Sequence, residues 1–309
     1  MQLRTLGLAW NWGYDDEFVA GIERACEARG VTSYRIMPAN VQETLQLLRE
    51  GSLAFEFFLD RASDDDESFE PLVKQVARSS AQFFNPPDRV EHAKDKATMH
   101  LEFITKGLQV PYTIIVSPFS KKREPELSLS ELAKLGRPFI IKPANTTGGG
   151  IGVVLGAETL KDVIETRQHH KNDKYLLQEK IIADRIGPHK AWFRVFWAFG
   201  QAVPCWWDDE THVYTPVSSE EITLHSLGEL DRIAGTIARI CKLDFFSTEI
   251  AKTAAGAFVV VDYVNDICDM RLQSRFNDGV PDLVVHGICA RISYRCSQIE
   301  VPHGIPSNP

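Results

Sequence analysis

A lysine that closes an apolar strand and precedes a run of glycines is suited to holding phosphate. Here Pro138-Phe139-Ile140-Ile141-Lys142-Pro143 is followed by Thr146-Thr147-Gly148-Gly149-Gly150-Ile151-Gly152-Val153. Glycines let backbone N–H groups approach phosphate oxygens, and the lysine adds a fixed positive charge. The loop is not the helix-opening G-x-x-x-x-G-K-[ST] type, because no Lys-Ser/Thr pair follows and the next segment reads as a strand. An ordinary flexible hairpin is the alternative that the glycines alone leave open.

Three further segments bear on the same chemistry. Lys96 stands in Asp95-Lys96-Ala97-Thr98, early in a helix. Leu176-Leu177-Gln178-Glu179-Lys180-Ile181 is an apolar strand that turns polar at its end, an edge able to offer backbone donors and acceptors to an adenine ring between apolar walls. Two acid-bearing strands come last, Phe246-Ser247-Thr248-Glu249-Ile250-Ala251 and Val259-Val260-Val261-Asp262-Tyr263-Val264-Asn265-Asp266. Two carboxylates and an amide oxygen suit magnesium, a hard ion that prefers oxygen ligands. A lone acid on a strand is ordinarily structural, but two inside apolar runs of neighbouring strands are costly to bury without a cation.

The elements that must position these residues follow from apolar periodicity. Leu3–Trp10 reads as a strand, Asp15–Arg29 as a helix ended by Gly30, and Val31–Met37 as a strand. Helix 41–49, strand 53–59 and helix 69–81 continue the alternation, which predicts a small parallel sheet covered on both faces. Its ligand side would be the loops Asn11-Trp12-Gly13-Tyr14 and Asp60-Arg61 beyond the strand ends. The acidic run Asp64–Glu67 reads as a solvated loop and helix start. A second unit begins near Asp88 with a helix 90–106 and a strand after Pro111, then a polar connection 121–130. Strands 139–142 and 151–155 flank the glycine loop, and a helix 157–169 and strand 175–180 follow. Strands 192–197, 245–251 and 258–264, with helices 227–241 and 281–294, complete the chain, and the Pro-rich tail after Ser297 is expected to fray.

The order of these features resembles the ATP-grasp superfamily: first lysine, strand lysine, glycine loop, Gln-Glu hinge, acidic strand, acid-plus-asparagine strand. The match covers roughly residues 88–285. It implies an α/β (α+β grasp) architecture: a Rossmann-like pre-grasp domain at 1–87, a two-subdomain ATP-grasp domain at 88–300 with its small subdomain at about 110–183, and a tail at 301–309. By this resemblance Lys96 and Lys142 hold the α- and β-phosphates of ATP, and the loop bearing Gly148, Gly149, Gly150 and Gly152 closes over the triphosphate. Gln178, Glu179, Lys180 and Ile181 form the adenine hinge, Asp184 faces the ribose, and Glu249, Asp262 and Asn265 coordinate Mg²⁺. Arg194 falls where members place a basic residue on a central strand, able to stabilise transferring charge; a sheet-surface salt bridge is its alternative role. Arg271, in Asp269-Met270-Arg271, could bind an acceptor carboxylate or the γ-phosphate, or serve structure alone.

One departure matters. Members space the last acid and asparagine two apart, whereas Asp262 and Asn265 are three apart, which period-2 geometry sends to opposite faces. Either a β-bulge realigns them, or the strand ends before Asn265, or Asp266 substitutes.

Composition narrows the partners. The chain has 309 residues, 44% hydrophobic and 25% charged, with a net charge of −8 that argues against a nucleic-acid scaffold. It contains no long uninterrupted apolar stretch for a membrane span, and its start reads as a strand and not a signal peptide. Six scattered cysteines without a C-x-x-C pair suggest reduced thiols in a cytoplasmic setting. Pro204-Cys205-Trp206-Trp207 could wall a substrate pocket or pack in the core, and His169 and His170 close a helix C-terminus. The resemblance implies a ligase joining a carboxylate to an amine through an acyl-phosphate, with a small-molecule kinase of the inositol phosphate kinase kind as runner-up and a non-catalytic nucleotide-binding protein third. A homodimer is common in the family, though no feature of this sequence signals one.

Overall fold

A computed structural model describes residues 2–145 and 152–298. The expectations for Gly148–Gly150 and for the tail 301–309 lie outside these residues. By internal contacts the chain divides into two units, one formed by residues 2–84 and 269–298, the other by 85–268. The sequence-based division ran the second unit to residue 300. In the structure the last helix, Asp282–Ser297, packs on the first helix instead, burying Val285, Ile288, Cys289 and Ile292.

The first unit is a four-stranded parallel sheet. Its elements are β1 (Gln2–Trp10), α1 (Asp16–Glu27), β2 (Ser33–Ile36), α2 (Val41–Arg49), β3 (Leu53–Arg61), α3 (Glu70–Val76) and β4 (Gln82–Phe84), in sheet order β2-β1-β3-β4. The short strand β4 begins directly after the stretch that reads as a helix to residue 81, and the helix itself is shorter than expected. α3 stops at Val76, and the polar stretch Arg78-Ser79-Ser80 turns the chain back to the sheet edge. One face packs under α2 and α3 through Phe55, Phe58, Phe69 and Leu72.

The second unit opens with two helices where the apolar spacing suggests one. α4 (Pro87–Lys94) and α5 (Lys96–Thr105) are separated at Asp95, whose backbone is extended (φ −72°, ψ 93°). The Asp95 carboxylate accepts from the backbone N–H groups of Ala97 and Thr98 and so caps α5, at the end where a negative charge is favourable. Lys96 thereby becomes the first residue of a new helix.

Two antiparallel sheets follow. The smaller comprises β5 (Thr113–Val116), β6 (Phe139–Pro143), β7 (Val154–Ala157) and β8 (Tyr175–Glu179) in the order β5-β8-β6-β7, with α6 (Leu129–Leu135) and α7 (Leu160–Thr166). α6 begins at the end of the polar connection 121–130 and runs beyond it, because Ser128 and Glu131 make a capping box ahead of Leu132 and Leu135. After the small ribbon β9 (Arg185–Ile186) and β10 (His189–Lys190) comes the larger sheet. It contains β11 (Trp192–Ala198), β12 (Gln201–Trp207), β13 (Tyr214–Pro216), β14 (Phe245–Lys252) and β15 (Phe258–Asn265) in the order β13-β12-β11-β14-β15. α8 (Ser219–Leu224) and α9 (Glu229–Cys241) lie between β13 and β14. Pro204-Cys205-Trp206-Trp207 is thus the second half of a strand paired to β11, and Cys205 and Trp206 are buried. One face of this sheet (Phe193, Val195, Phe246, Ile250, Val260) joins α5 and α9 in the main core of the unit. The opposite face carries the polar residues described next. No described helix is long and apolar enough to cross a membrane.

Candidate active site

Strand alternation sets the row on which the site is built. Arg194 on β11 pairs in register with Glu249 on β14, and Glu249 with Asp262 on β15, so three charged side chains stand side by side across the sheet. Arg194 Nη2 lies 2.6 Å from Glu249 Oε1, and the Trp192 indole N–H donates to Glu249 Oε2 at 3.1 Å. Arg194 Nη1 reaches Ser247 Oγ at 3.5 Å, and its guanidinium sits 4.9 Å from the Trp207 ring centroid. Its Nε is buried and has no hydrogen-bond partner among the described residues.

Two irregularities in β15 settle the three-residue spacing. Ser247 pairs with Asn265 and Glu249 with Asp262, so Tyr263 and Val264 together oppose Thr248. Ile250 pairs with Val260, so Val261 and Asp262 together oppose Glu249. These are β-bulges, one on each side of Asp262. The first puts both Tyr263 and Val264 into the core and returns Asn265 to the face of Asp262, where Asn265 Nδ2 donates to Asp262 Oδ2 at 3.0 Å. Of the three alternatives, the bulge is the one realised. Asp266 takes another path and accepts a hydrogen bond from Asn85.

Lys142 arrives from the end of β6. Its ammonium donates to the Val261 carbonyl at 2.9 Å, lies 3.9 Å from Asp262 Oδ1, and sits 5.4 Å from the Tyr263 ring centroid. Three consecutive residues of the bulged strand therefore serve one cation. Burial pushes the Lys142 pKa down and the nearby Lys96 adds to this, while Asp262 opposes it. Burial also works against the Asp262 charge, but Lys142, Lys96 and Arg194 outweigh it and bring its pKa down to about 2. Glu249 is raised, first by burial and then by the neighbouring Asp262, against the pull of Arg194. The result is a cluster of two carboxylates among three cations, and this excess of positive charge is what allows the acids to be buried.

Among the described residues no three His, Cys, Asp or Glu side chains converge as a metal site. A divalent cation here would draw on Glu249, Asp262 and the amide oxygen of Asn265. These are hard oxygen donors on one face, a set that fits Mg²⁺.

Not every expected residue faces this cluster. The Gln178 side chain is buried, with its amide donating to Thr113 Oγ1 and the Tyr263 hydroxyl, so it points into the core and not toward a ligand. Glu179 accepts from the Tyr112 N–H at 2.7 Å and closes the β5–β8 pairing. Lys180 is exposed, while Ile181 packs with Trp192, Ala251, Val261, Ala183 and Trp207 in a small apolar cluster on the Arg194 face of the sheet. Asp184 accepts from the Arg185 N–H. Gly152 has φ +76°, and a Cβ there would come 3.2 Å from the His170 ring. Arg271 belongs to the first unit, where it donates to both Asp269 and Asp278 at 2.7–3.2 Å. Of the two roles open to it from the sequence, this arrangement is that of the structural one, because two carboxylates already use its donors.

Residues that sequence reasoning missed include Trp192, Ser247, Tyr263 and His100. The first two sit two residues from Arg194 and Glu249, and strand periodicity alone would have placed them on the same face.

No family model and no curated relative matches this sequence. Among solved structures, the chain is similar to a RimK domain ATP-grasp protein from Sphaerobacter thermophilus, at 19% identity over 93% of this chain and 98% of that one, with a TM-score of 0.62. It is also similar to the D-alanine–D-alanine ligase of Bacillus anthracis, determined with ATP, at 12% identity over 95% and 98%, with a TM-score of 0.60. A third is the macrocyclase MdnC of Microcystis aeruginosa, bound with precursor peptide MdnA, at 13% identity over 94% and 100%, with a TM-score of 0.60. These likenesses run the length of both chains in each pair. The chain thus has the fold of these ATP-grasp structures.

Proposed function

We propose that the chain is an ATP-dependent, magnesium-requiring ligase that joins a carboxylate to an amine through an acyl-phosphate. The observation that carries this reading is the transverse row Arg194–Glu249–Asp262 with Lys142 beside it. A D-alanine–D-alanine ligase and a macrocyclase with its peptide among the similar structures support ligation and amino-acid or peptide substrates.

In this reading Lys96 and Lys142 hold the α- and β-phosphates, and the apolar cluster around Ile181 walls the adenine with the backbone of Glu179 and Lys180. Asp184 faces the ribose. Glu249, Asp262 and Asn265 hold magnesium, which when bound neutralises and orients the triphosphate. Arg194, fixed by Glu249 and Trp207, faces the charge that develops as the γ-phosphoryl group moves to the acceptor carboxylate and ADP leaves. The amine then attacks the activated carbonyl, the C–N bond forms, and phosphate departs. Catalysis rests on positioning and charge, without a protein nucleophile. The six buried, unbridged cysteines suit a reducing, cytoplasmic setting.

A kinase acting on a phosphorylated substrate would need free cations, and the β9–β10 ribbon carries Arg185, His189 and Lys190. Lys190 is paired with Asp209, Arg185 donates to the Pro188 carbonyl, and His189 stacks on Trp206, so that ribbon offers little to a phosphorylated substrate. The test is phosphate release from Mg-ATP with pools of carboxylates and amines. Release that requires both, with an amide product, is expected. Phosphate transfer to a hydroxyl without condensation would establish a kinase, and nucleotide binding without turnover in any pool would establish a binding protein.

A further inference from the structure

Behind the charged row lies a buried polar chain that has no part in the reaction as just described. The Gln178 amide has two protons. One goes to Thr113 Oγ1 at 3.0 Å and the other to the Tyr263 hydroxyl oxygen at 2.8 Å. Thr113 Oγ1 in turn donates to the Pro111 carbonyl at 2.8 Å. The Tyr263 oxygen thus accepts from Gln178, and its own proton points to His100 Nδ1, 2.6 Å away. Burial, reinforced by the Lys142 charge, holds His100 far below its ordinary pKa, at about 4, so a neutral ring is present to accept that proton.

Each end of this chain adjoins a functional position. Gln178 precedes Glu179 on β8, at the expected adenine hinge, and Tyr263 follows Asp262 on the bulged strand. The Tyr263 ring also lies beside the Lys142 ammonium. His100 is on α5, the helix that begins with Lys96. The hydroxyl of Tyr263 is therefore where the hinge strand, the acidic strand and the first-lysine helix are tied to one another, through side chains that are themselves out of solvent. Buried networks with every proton assigned hold one arrangement and lose it when a member is removed.

We propose that Tyr263, held by Gln178 and His100, is a positioning residue that sets Lys142 and Asp262 relative to the β8 hinge for nucleotide binding. This rests on the ATP-binding reading above. It also gives Gln178 a different task from the ligand contact first expected of it.

The experiment measures ATP affinity of the full chain by titration calorimetry in excess MgCl₂, with unfolding monitored in parallel. If the wild-type protein binds no ATP, the nucleotide reading itself fails. Given wild-type binding, Tyr263→Phe, which keeps the ring but removes the hydroxyl, is expected to weaken ATP by about five- to tenfold, the scale of one lost buried hydrogen bond. It should also move the His100 imidazole ¹⁵N resonances, since Nδ1 loses its donor. The double variant Tyr263→Phe/Gln178→Leu removes the stranded amide and should recover stability without recovering affinity. Affinity that returns with stability would reduce the network to a packing role and overturn the proposal, as would a Tyr263→Phe affinity within twofold of wild type. Gln178→Leu alone, which leaves the Tyr263–His100 bond in place, gives the same reading should Tyr263→Phe fail to fold. Its affinity is expected to fall about threefold or more, and no change would equally overturn the proposal.

Discussion

In the first unit, Asp15 and Arg61 meet through two matched bonds of 2.7 and 2.8 Å, both side chains almost wholly out of solvent. In the second unit, Lys142 stands 3.9 Å from Asp262, Arg194 keeps a buried N–H without a partner among the described residues, and Glu249 and Asp262 repel one another along the sheet. Both regions bury opposite charges, yet their bonding differs. The first is a bidentate fork in which each carboxylate oxygen already receives a donor, an arrangement that fixes a loop against a strand. The second sets three cations against two carboxylates and is incompletely bonded, an arrangement with a surplus of positive charge. Incomplete bonding with a surplus of positive charge is what physically separates this cluster from the closed ion pair of the first unit.

The contrast can be broken at either end. The largest effect is expected from Asp262→Ala, which should lower Mg-dependent ATP turnover by about a thousandfold, the upper range for one preorganised electrostatic contact, with the circular dichroism spectrum unchanged. Undiminished phosphate release would refute the metal role. Asp15→Ala should cost about 3–5 kcal/mol of stability in urea unfolding, because the Arg61 guanidinium stays buried without its carboxylate. Replacing both partners by apolar residues, Asp15→Leu with Arg61→Met, should recover most of that loss. If the double variant is as unstable as the single, the pair is more than an ion pair.

A third effect is a pH dependence. His100 has a folded pKa of about 4 against an ordinary 6.5, so between these values the unfolded chain binds a proton that the native chain does not. Stability therefore rises with pH through this window and is lost as pH falls from about 6.5 toward 4, by roughly 2–3 kcal/mol. A His100→Gln variant should lack this component, and parallel pH profiles of the two proteins would exclude it. Smallest of all is the exposed pair Lys74–Glu70, one turn apart on α3. Glu70→Gln should change stability by less than about 0.5 kcal/mol, since solvent screens such pairs.

Much of the site was legible in the sequence because it depends on local rules. A charged residue inside an apolar strand stands out, which is how Lys142, Glu249 and Asp262 became candidates, whereas Arg194 was singled out by the family resemblance. What stayed hidden depends on relations between segments. The break at Asp95 was masked because apolar periodicity runs on from Val90 through Phe103, and only the cap to Ala97 and Thr98 ends one helix and starts the next. The bulges around Asp262 are a register between two strands, which neither strand carries alone. Gln178 and Arg271 were read by residue type as ligand contacts, yet a side chain's partners decide its use, and theirs are Tyr263 with Thr113 and two aspartates.

The bulge beyond Asp262 also bears on how such a strand can change over generations. It is a spare residue stored inside the site. Deleting Val264 would bring an acid and an amide two positions apart with both still on the same face, so this stretch can lose a codon without exchanging its inner and outer surfaces. An ordinary strand allows no such edit. What the geometry requires here is the face the two side chains share, and the bulge is what lets the count between them be three.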